Sequence, residues 1–377
     1  MFGKRIPLFK LFGFSVSIDV SWFILAILIT WTLADDVFPR YFEDFSKATY
    51  LWMGIAGALG LFVSIVFHEF CHSLVARRYG LPMKGITLFI FGGVAEMAEE
   101  PESPMTEFLM AFAGPVSSVL LGTGLYFVCI LAEHFAWSGP ANGVLQYLAW
   151  LNFMLAGFNL LPAFPLDGGR VLRSVLWAVK GNLRWATRIA SQLGSGFGLF
   201  LIIMGGLLFF IWGDFVGGVW SALIGMFIRT ASQMSYRQLL VRAALSGEEI
   251  RRFMKSDPIT VPPSISIEQL VNDYFYRHHL KMFPVCDGNL LLGCVTSNQV
   301  KQVPREQWGK LSVGDVVKPC SGENTISPQT DAVRALSIMN RTGNSRLMVV
   351  DAGRLVGIVT LKDMLKFLDL KIDLEGR

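Results

Sequence analysis

Charge is scarce in this chain. Only 16% of its 377 residues are Asp, Glu, Lys or Arg, against about 25% in an ordinary soluble domain. The net charge is only +4, and no basic stripe interleaved with aromatics occurs, which argues against nucleic acid as a partner. Cysteine is sparse too. Cys71, Cys129, Cys286, Cys294 and Cys320 form no C-x-x-C pair, and they read as reduced thiols of a cytosol-facing protein. Histidine occurs only five times, so the placement of each one is informative.

What is abundant is apolar surface, at 53% of residues, and it is concentrated. Residues 14 to 230 carry nearly all of the long apolar runs, while 245 to 377 have the mixed charge and turn residues of a soluble domain. The expected organisation is a membrane domain over 1–235, a helical linker over 236–250 and a soluble domain over 251–377. Six spans are predicted, at about 16–35, 51–76, 106–132, 143–161, 193–212 and 215–235. The first follows the basic start MFGKRIPLFK, but it is long and no small-residue cleavage site follows, so it reads as a retained span. The last two are separated by Gly213-Asp214 and predict a tight helical hairpin. Between the second and third spans, MKGITLFIFGGVAEMAEEP carries β-branched and aromatic residues around Gly92-Gly93, a pattern of strands with a kink or turn.

Basic residues alternate between connections. Lys4, Arg5 and Lys10, then Arg77, Arg78 and Lys84, then Arg170, Arg173, Lys180, Arg184 and Arg188, then Arg229, Arg237 and Arg242 fall on one side. The other side holds Arg40 and Lys47 beside Asp35, Asp36, Glu43 and Asp44. Lys and Arg excess marks the cytoplasmic side, so a multi-pass protein of the cell membrane with both termini in the cytoplasm is expected.

The second span contains VSIVFHEFCHSLVARRYG. Residues i and i+4 of a helix face the same way, so His68 and His72 can bind one Zn²⁺ from one face. Glu69 stands next to them, placed to take a proton from the attacking water. Ionisable groups in a span are costly and mark function. Cys71 sits inside this motif without an assigned role. Two histidines leave a zinc site short of a third protein ligand. The best candidate is Asp167 in NLLPAFPLDGGR, where Pro162 and Pro165 break the helix before Gly168-Gly169. Irregular backbone at membrane depth is tolerated where protein or a water-filled cavity satisfies it. On local grounds alone, Asp167 would also suit a plain helix cap.

Together H-E-F-C-H at 68 to 72 and N-L-L-P-A-F-P-L-D-G at 159 to 168 resemble the site-2 protease family of intramembrane zinc metalloproteases. Asn159, Pro162, Asp167 and Gly168 match that family's N-x-x-P-x-x-x-x-D-G pattern. The resemblance implies that His68, His72 and Asp167 hold zinc, that Glu69 is the general base and that Asn159 steadies the substrate carbonyl or the oxyanion. AFAGP, ending at Gly114-Pro115, is similar to a further family element, and a small-residue packing site explains it equally well. His68 lies nine residues before Arg77, roughly 14 Å from the cytoplasmic boundary at 1.5 Å per residue, so water must reach it from that side. The segment 86–95 fits either β-augmentation of an unwound substrate or a membrane-dipping loop that shields the site.

The soluble part repeats itself. MFPVCDGNLLLGCVTSNQV (282–300) aligns with LMVVDAGRLVGIVTLKDML (347–365), with Asp287 matching Asp351. DPITVPPSISIEQLV and NTISPQTDAVRAL supply a preceding strand and helix to each copy. This resembles a tandem pair of CBS domains, with repeats at 251–310 and 311–377. The resemblance implies an adenine nucleotide (ATP, ADP or AMP) as a ligand and homodimerisation through the pair; a purely structural pair is the other reading. The ribose-binding pattern is present as Thr360 and Asp363, while the first repeat departs from it, with Thr296 followed by Gln299. GSGFG at 194–198 opens an apolar span and reads as helix packing, not a nucleotide loop.

The expected fold class is a multi-span α-helical membrane protein, with six transmembrane helices and a short membrane-associated β segment, plus a cytoplasmic α/β CBS-domain pair. The expected function is zinc-dependent proteolysis of transmembrane proteins or peptides in the lipid bilayer, under nucleotide control. The alternative is a CBS-regulated transporter or channel for a metal ion, which has no use for a base at the Glu69 spacing.

Overall fold

The computed structural model describes residues 5–81, 83–89, 92–97, 101–135, 137–288 and 290–375. The chain divides into two compact units, Met1–Leu239 and Leu240–Arg377.

The first unit opens on a hairpin, β1 (Arg5–Leu11) and β2 (Phe14–Asp19). In β2, Phe14, Val16 and Ile18 are buried on one face, alternating with Ser15 and Ser17 as a half-buried strand requires. The first span was expected from residue 16, but helix begins only at α1 (Ser21–Thr32). Asp19 stops the strand by accepting the Ser21 N–H at 2.9 Å. A π-helical stretch over Leu33–Val37 leads into α2 (Phe38–Tyr41). Then comes α3 (Lys47–Arg78), capped by Ser46, which accepts from the Thr49 N–H at 3.1 Å.

β3 (Met83–Phe89) and β4 (Gly92–Met97) pair antiparallel, as the strand pattern predicts. The turn between them, at 90 and 91, lies outside the described residues. The β segment is larger than expected. It forms a four-stranded sheet of order β1-β2-β3-β4, because β2 pairs with β3 in parallel, Ser15 opposite Gly85 through Ile18 opposite Leu88. Its buried residues Val16, Ile86 and Leu88 pack with Ile65, Val66 and Phe70 of α3, so the sheet lies against the motif helix.

Four further helices complete the unit up to the division: α4 (Pro104–His134), α5 (Gly139–Asn159), α6 (Asp167–Lys180) and α7 (Leu183–Phe210), with α8 (Phe215–Leu245) running on through it. α7 begins ten residues before the span expected at 193, capped by Asn182, which accepts from the Trp185 N–H at 3.0 Å. α7 and α8 form the expected hairpin at glycine contacts. A Cβ at Gly198 would lie 2.6 Å from the Gly225 carbonyl oxygen, and one at Gly205 would lie 2.6 Å from that of Gly218. GSGFG falls inside α7, in keeping with helix packing.

Among the described residues, five helical stretches are long and apolar enough to cross a membrane: Ser21–Tyr41, Lys47–Arg78, Pro104–His134, Leu183–Phe210 and Phe215–Leu245. The protein thus combines a multi-span α-helical unit with a second, α/β unit. The span expected at 143–161 corresponds to α5, whose Asn142, Gln146, Asn152 and Asn159 make it less apolar than these five.

The second unit carries the two repeats. In the first, α9 (Ile267–Gln269), a π-helical stretch and α10 (Tyr276–His278) precede β5 (Met282–Asp287), β6 (Leu290–Thr296) and α11 (Ser297–Lys301). α12 (Val313–Val316) and β7 (Lys318–Pro319) follow, then β8 (Thr325–Ile326) and α13 (Ala332–Thr342). β9 (Arg346–Asp351), β10 (Arg354–Thr360) and α14 (Leu361–Glu375) close the second repeat. The bounds of β9 and β10 are those of β5 and β6 displaced by the same spacing that relates Asp287 to Asp351. Each repeat has its own core, Phe283, Val285 and Val295 with Ile267 and Leu270 in the first, and Leu347, Val349 and Val359 with Ala335 and Met364 in the second. Met282, Leu291 and Cys294 pack with Met348, which joins the two sheets. Full burial of each such aliphatic or aromatic side chain contributes roughly 1.5–3 kcal/mol.

Candidate metal centre

His68 and His72 lie one turn apart on α3, at 3% and 6% exposure. Neither ring is free to turn. His72 Nδ1 is 2.6 Å from the Met110 carbonyl oxygen on α4. That oxygen only accepts, so Nδ1 carries the proton and Nε2 presents its lone pair. His68 Nδ1 is 2.9 Å from Ser118 Oγ on the same helix. Both Nε2 atoms then meet Asp167 Oδ2, at 3.0 Å from His68 and 3.1 Å from His72, and lie 3.1 Å from each other.

This donor set fits zinc. Three lone-pair atoms cannot stay this close without a proton or a cation among them. Two imidazole nitrogens and one carboxylate oxygen are the ligand types zinc takes, and a tetrahedral site with bonds near 2.0–2.1 Å separates its ligands by roughly 3.3 Å. Among the described residues, His68, His72 and Asp167 are the group able to hold a metal, their ligand atoms all within 4.8 Å of one another. Glu69 is not in that group, which leaves its carboxylate for other work.

The space in front of the histidines depends on Gly114. A Cβ there would fall 2.5 Å from His68 Nε2 and into His72 Nε2 as well. AFAGP is therefore more than helix packing: residue 114 must lack a side chain for the cradle to exist. Gly93 of β4 does the same for Glu69, since a Cβ there would lie 2.6 Å from Glu69 Cγ and 3.1 Å from Oε1. β4 thus passes directly against the glutamate.

Asp167 is the first residue of α6, where a carboxylate is favoured by the helix dipole. The bend from 160 to 166 brings it to the histidines, and glycine allows the bend to close on the helix. A Cβ at Gly168 would strike the backbone of Leu160 and Leu161, and one at Gly169 that of Ala163 and Phe164. The Ser232 hydroxyl donates to the Phe164 carbonyl from α8. Asn159, at the end of α5, donates from Nδ2 to the Leu155 carbonyl at 3.0 Å.

Met110 and Ser118 were not singled out by any motif, and Gly114 entered only as part of AFAGP. The three repeat along α4 at helical spacing, which puts them on one face but does not say which neighbour that face meets.

In the second unit, Thr360 donates its hydroxyl to Asp363 Oδ2 at 2.7 Å and accepts from the Asp363 N–H at 3.1 Å. Asp363 Oδ1 lies 3.6 Å from Lys255 Nζ. A cavity of about 300 Å³ opens elsewhere, beside the first repeat's Thr296, with Lys281, Lys301 and Arg346 in its wall. Neither Thr360 nor Asp363 lines it. Thr296 and Gln299 cap α11 together, with Thr296 Oγ1 and Gln299 Oε1 2.8 Å apart.

Comparison with known proteins follows the same division. Residues 56–136 and 133–205 match Peptidase family M50, and residues 249–305 and 313–370 match the CBS domain. Rip3 of Mycobacterium tuberculosis is 33% identical over 367 residues, 97% of this chain and 93% of that protein. Zinc metalloprotease MJ0392 of Methanocaldococcus jannaschii is 31% identical over 318 residues, 84% of this chain and 86% of that one. Among solved structures, the Site-2 Protease from Methanocaldococcus jannaschii is 30% identical, covering 62% of this chain and 96% of that chain with a TM-score of 0.43.

Proposed function

The chain belongs to peptidase family M50 and is a membrane metalloprotease, and from that premise we propose that it cuts transmembrane proteins or peptides inside the bilayer, with His68, His72 and Asp167 holding one zinc ion. The observation that carries this is the convergence of two Nε2 atoms and one carboxylate oxygen at 3.0–3.1 Å.

When bound, zinc supplies a Lewis acid that polarises the scissile carbonyl and acidifies the attacking water. Ser118 and the Met110 carbonyl keep the two imidazoles in one orientation, and the carbonyl also fixes the tautomer of His72. Glu69 accepts the proton of the attacking water and passes it to the nitrogen of the leaving amine. Its contact with Gly93 limits where the carboxylate can swing. Asn159 donates from its amide to the carbonyl oxygen as charge develops there, which requires it to leave the Leu155 carbonyl. The edge strand β4, beside Glu69, offers backbone groups to an extended peptide. A substrate helix hides its peptide bonds, so unwinding and pairing with β4 answer one need together.

We assign the protease to 1–235, the linker to 236–250, and the CBS pair to 251–377 with repeats at 251–310 and 311–377. α5 serves as the remaining span, which brings the count to six and both termini to the cytoplasm. Adenine nucleotide at Thr360 and Asp363, and pairing of two copies through the CBS domains, would tie cleavage to the state of the cell.

The test uses the purified full-length protein, a transmembrane peptide and a zinc chelator. Cleavage should stop with chelator and return with zinc. Glu69→Gln should bind zinc but not cut, because the ligands remain and the base is gone. A fully active Glu69→Gln protein would sink this reading.

A further inference from the structure

Glu107 and Arg173 are both ionisable and both buried, at 0% and 5% exposure. Arg173 Nε donates to Glu107 Oε1 at 2.7 Å, and its Nη2 reaches the same oxygen. Arg170 Nε stands 3.9 Å from that oxygen as well. Glu107 Oε2 is buried without a hydrogen-bond partner among the described residues. Such a pair is weak evidence for stability, since apolar residues of similar volume often serve a fold as well or better. Ionisable groups inside a membrane domain call for a role.

The position of the pair supplies one. Glu107 lies one turn before Met110 on α4, whose carbonyl fixes His72. Arg173 lies on α6, the helix that begins with Asp167. Its guanidinium carbon also sits 5.1 Å from the centre of the Phe164 ring, in the bend that delivers Asp167. The pair therefore joins the helix that orients the histidines to both parts of the element that carries the carboxylate.

We propose that Glu107 and Arg173 are a positioning pair that holds Asp167 in register with His68 and His72. The proposal rests on the metal-site reading above. Neither residue touches the metal or the substrate. The fork of Arg173 fixes the angle of α6 against α4, which a packed apolar contact would leave looser.

The test measures zinc dissociation from the full-length protein by competition with a coloured chelator, beside a thermal melt. Glu107→Gln and Arg173→Lys keep shape but weaken the fork, and each should lose zinc at least tenfold faster than wild type, within the roughly 10–100-fold range of outer partners of metal ligands. The apolar pair Glu107→Leu with Arg173→Met separates packing from positioning. It should melt near the wild-type temperature and still lose zinc at least tenfold faster. Wild-type zinc retention in the single variants or in the apolar pair would overturn the positioning role alone. A wild-type protein that binds no zinc would overturn the site reading and the pair with it.

Discussion

Gly114→Ala adds one methyl group and should empty the metal centre. The new Cβ would stand 2.5 Å from His68 Nε2, where ordinary contact begins near 3.4 Å, and it would crowd His72 Nε2 further. At least one ring must retreat by roughly 1 Å, because a packed interior absorbs little of such a change. Metal ligands tolerate displacements of about 0.2 Å, so the two nitrogens could no longer share one ion with Asp167. A misplacement of about 1 Å at a reacting centre is enough for roughly a hundredfold loss of rate, and losing a ligand adds to that. The fold should survive, since overpacking costs about 1–3 kcal/mol. Gly124→Ala is the control: it lies on the same helix with nothing within 4 Å of its Cβ. Zinc content, peptide cleavage and melting temperature are measured for both. Gly114→Ala should fold, lack zinc and cut at least a hundredfold more slowly, with Gly124→Ala close to wild type. A Gly114→Ala protein with full zinc and normal cleavage would refute the cradle.

Two further predictions concern the rest of the chain. With an impermeant thiol reagent, a cysteine placed at Phe42 should label from outside the cell and one placed at Ser246 should not, as the Lys and Arg bias requires; labelling of both from one side would make the span count wrong by an odd number. In calorimetry on the full-length protein, Asp363→Ala should weaken adenine nucleotide binding by roughly 1–3 kcal/mol if its buried hydrogen bonds are lost, while Lys281→Ala should not; the reverse pattern would move the nucleotide to the basic cavity.

The cluster of His68, His72 and Asp167 was legible because a helix imposes the spacing of its histidines, four apart, and Pro162, Pro165 and Gly168 announce the bend before Asp167. The CBS repeat was legible because one strand pattern recurs. The partners that make the site work were not. Ser118 lies 50 residues from His68, and Met110 lies 38 residues from His72, and no local rule links them. β2 carries a period of two in FSVSID, but it adjoins an apolar helix and its hydrophobicity merged with the span. Its pairing partner β3 lies beyond α3, so the sheet was visible only as its second hairpin. Arg173 entered the charge count as a cytoplasmic residue, yet it is buried against Glu107. Composition counts a charge without knowing its neighbour.

The order of His68, His72 and Asp167 along the chain also sets a timetable for the newborn protein. His68 and His72 leave the ribosome almost together, but Asp167 follows His72 by 95 residues. At about 5–20 residues per second, that interval is roughly 5–20 s. The bend that carries Asp167 is docked by Ser232, a further stretch downstream. Throughout this period the growing chain holds the two imidazoles and Glu69 without Asp167. The cluster of His68, His72 and Asp167 is therefore complete only late in biosynthesis, and its bend is docked only after Ser232 of α8 has emerged. The order of its residues alone thus keeps this membrane metalloprotease without a complete His68, His72 and Asp167 cluster until most of the chain has been made.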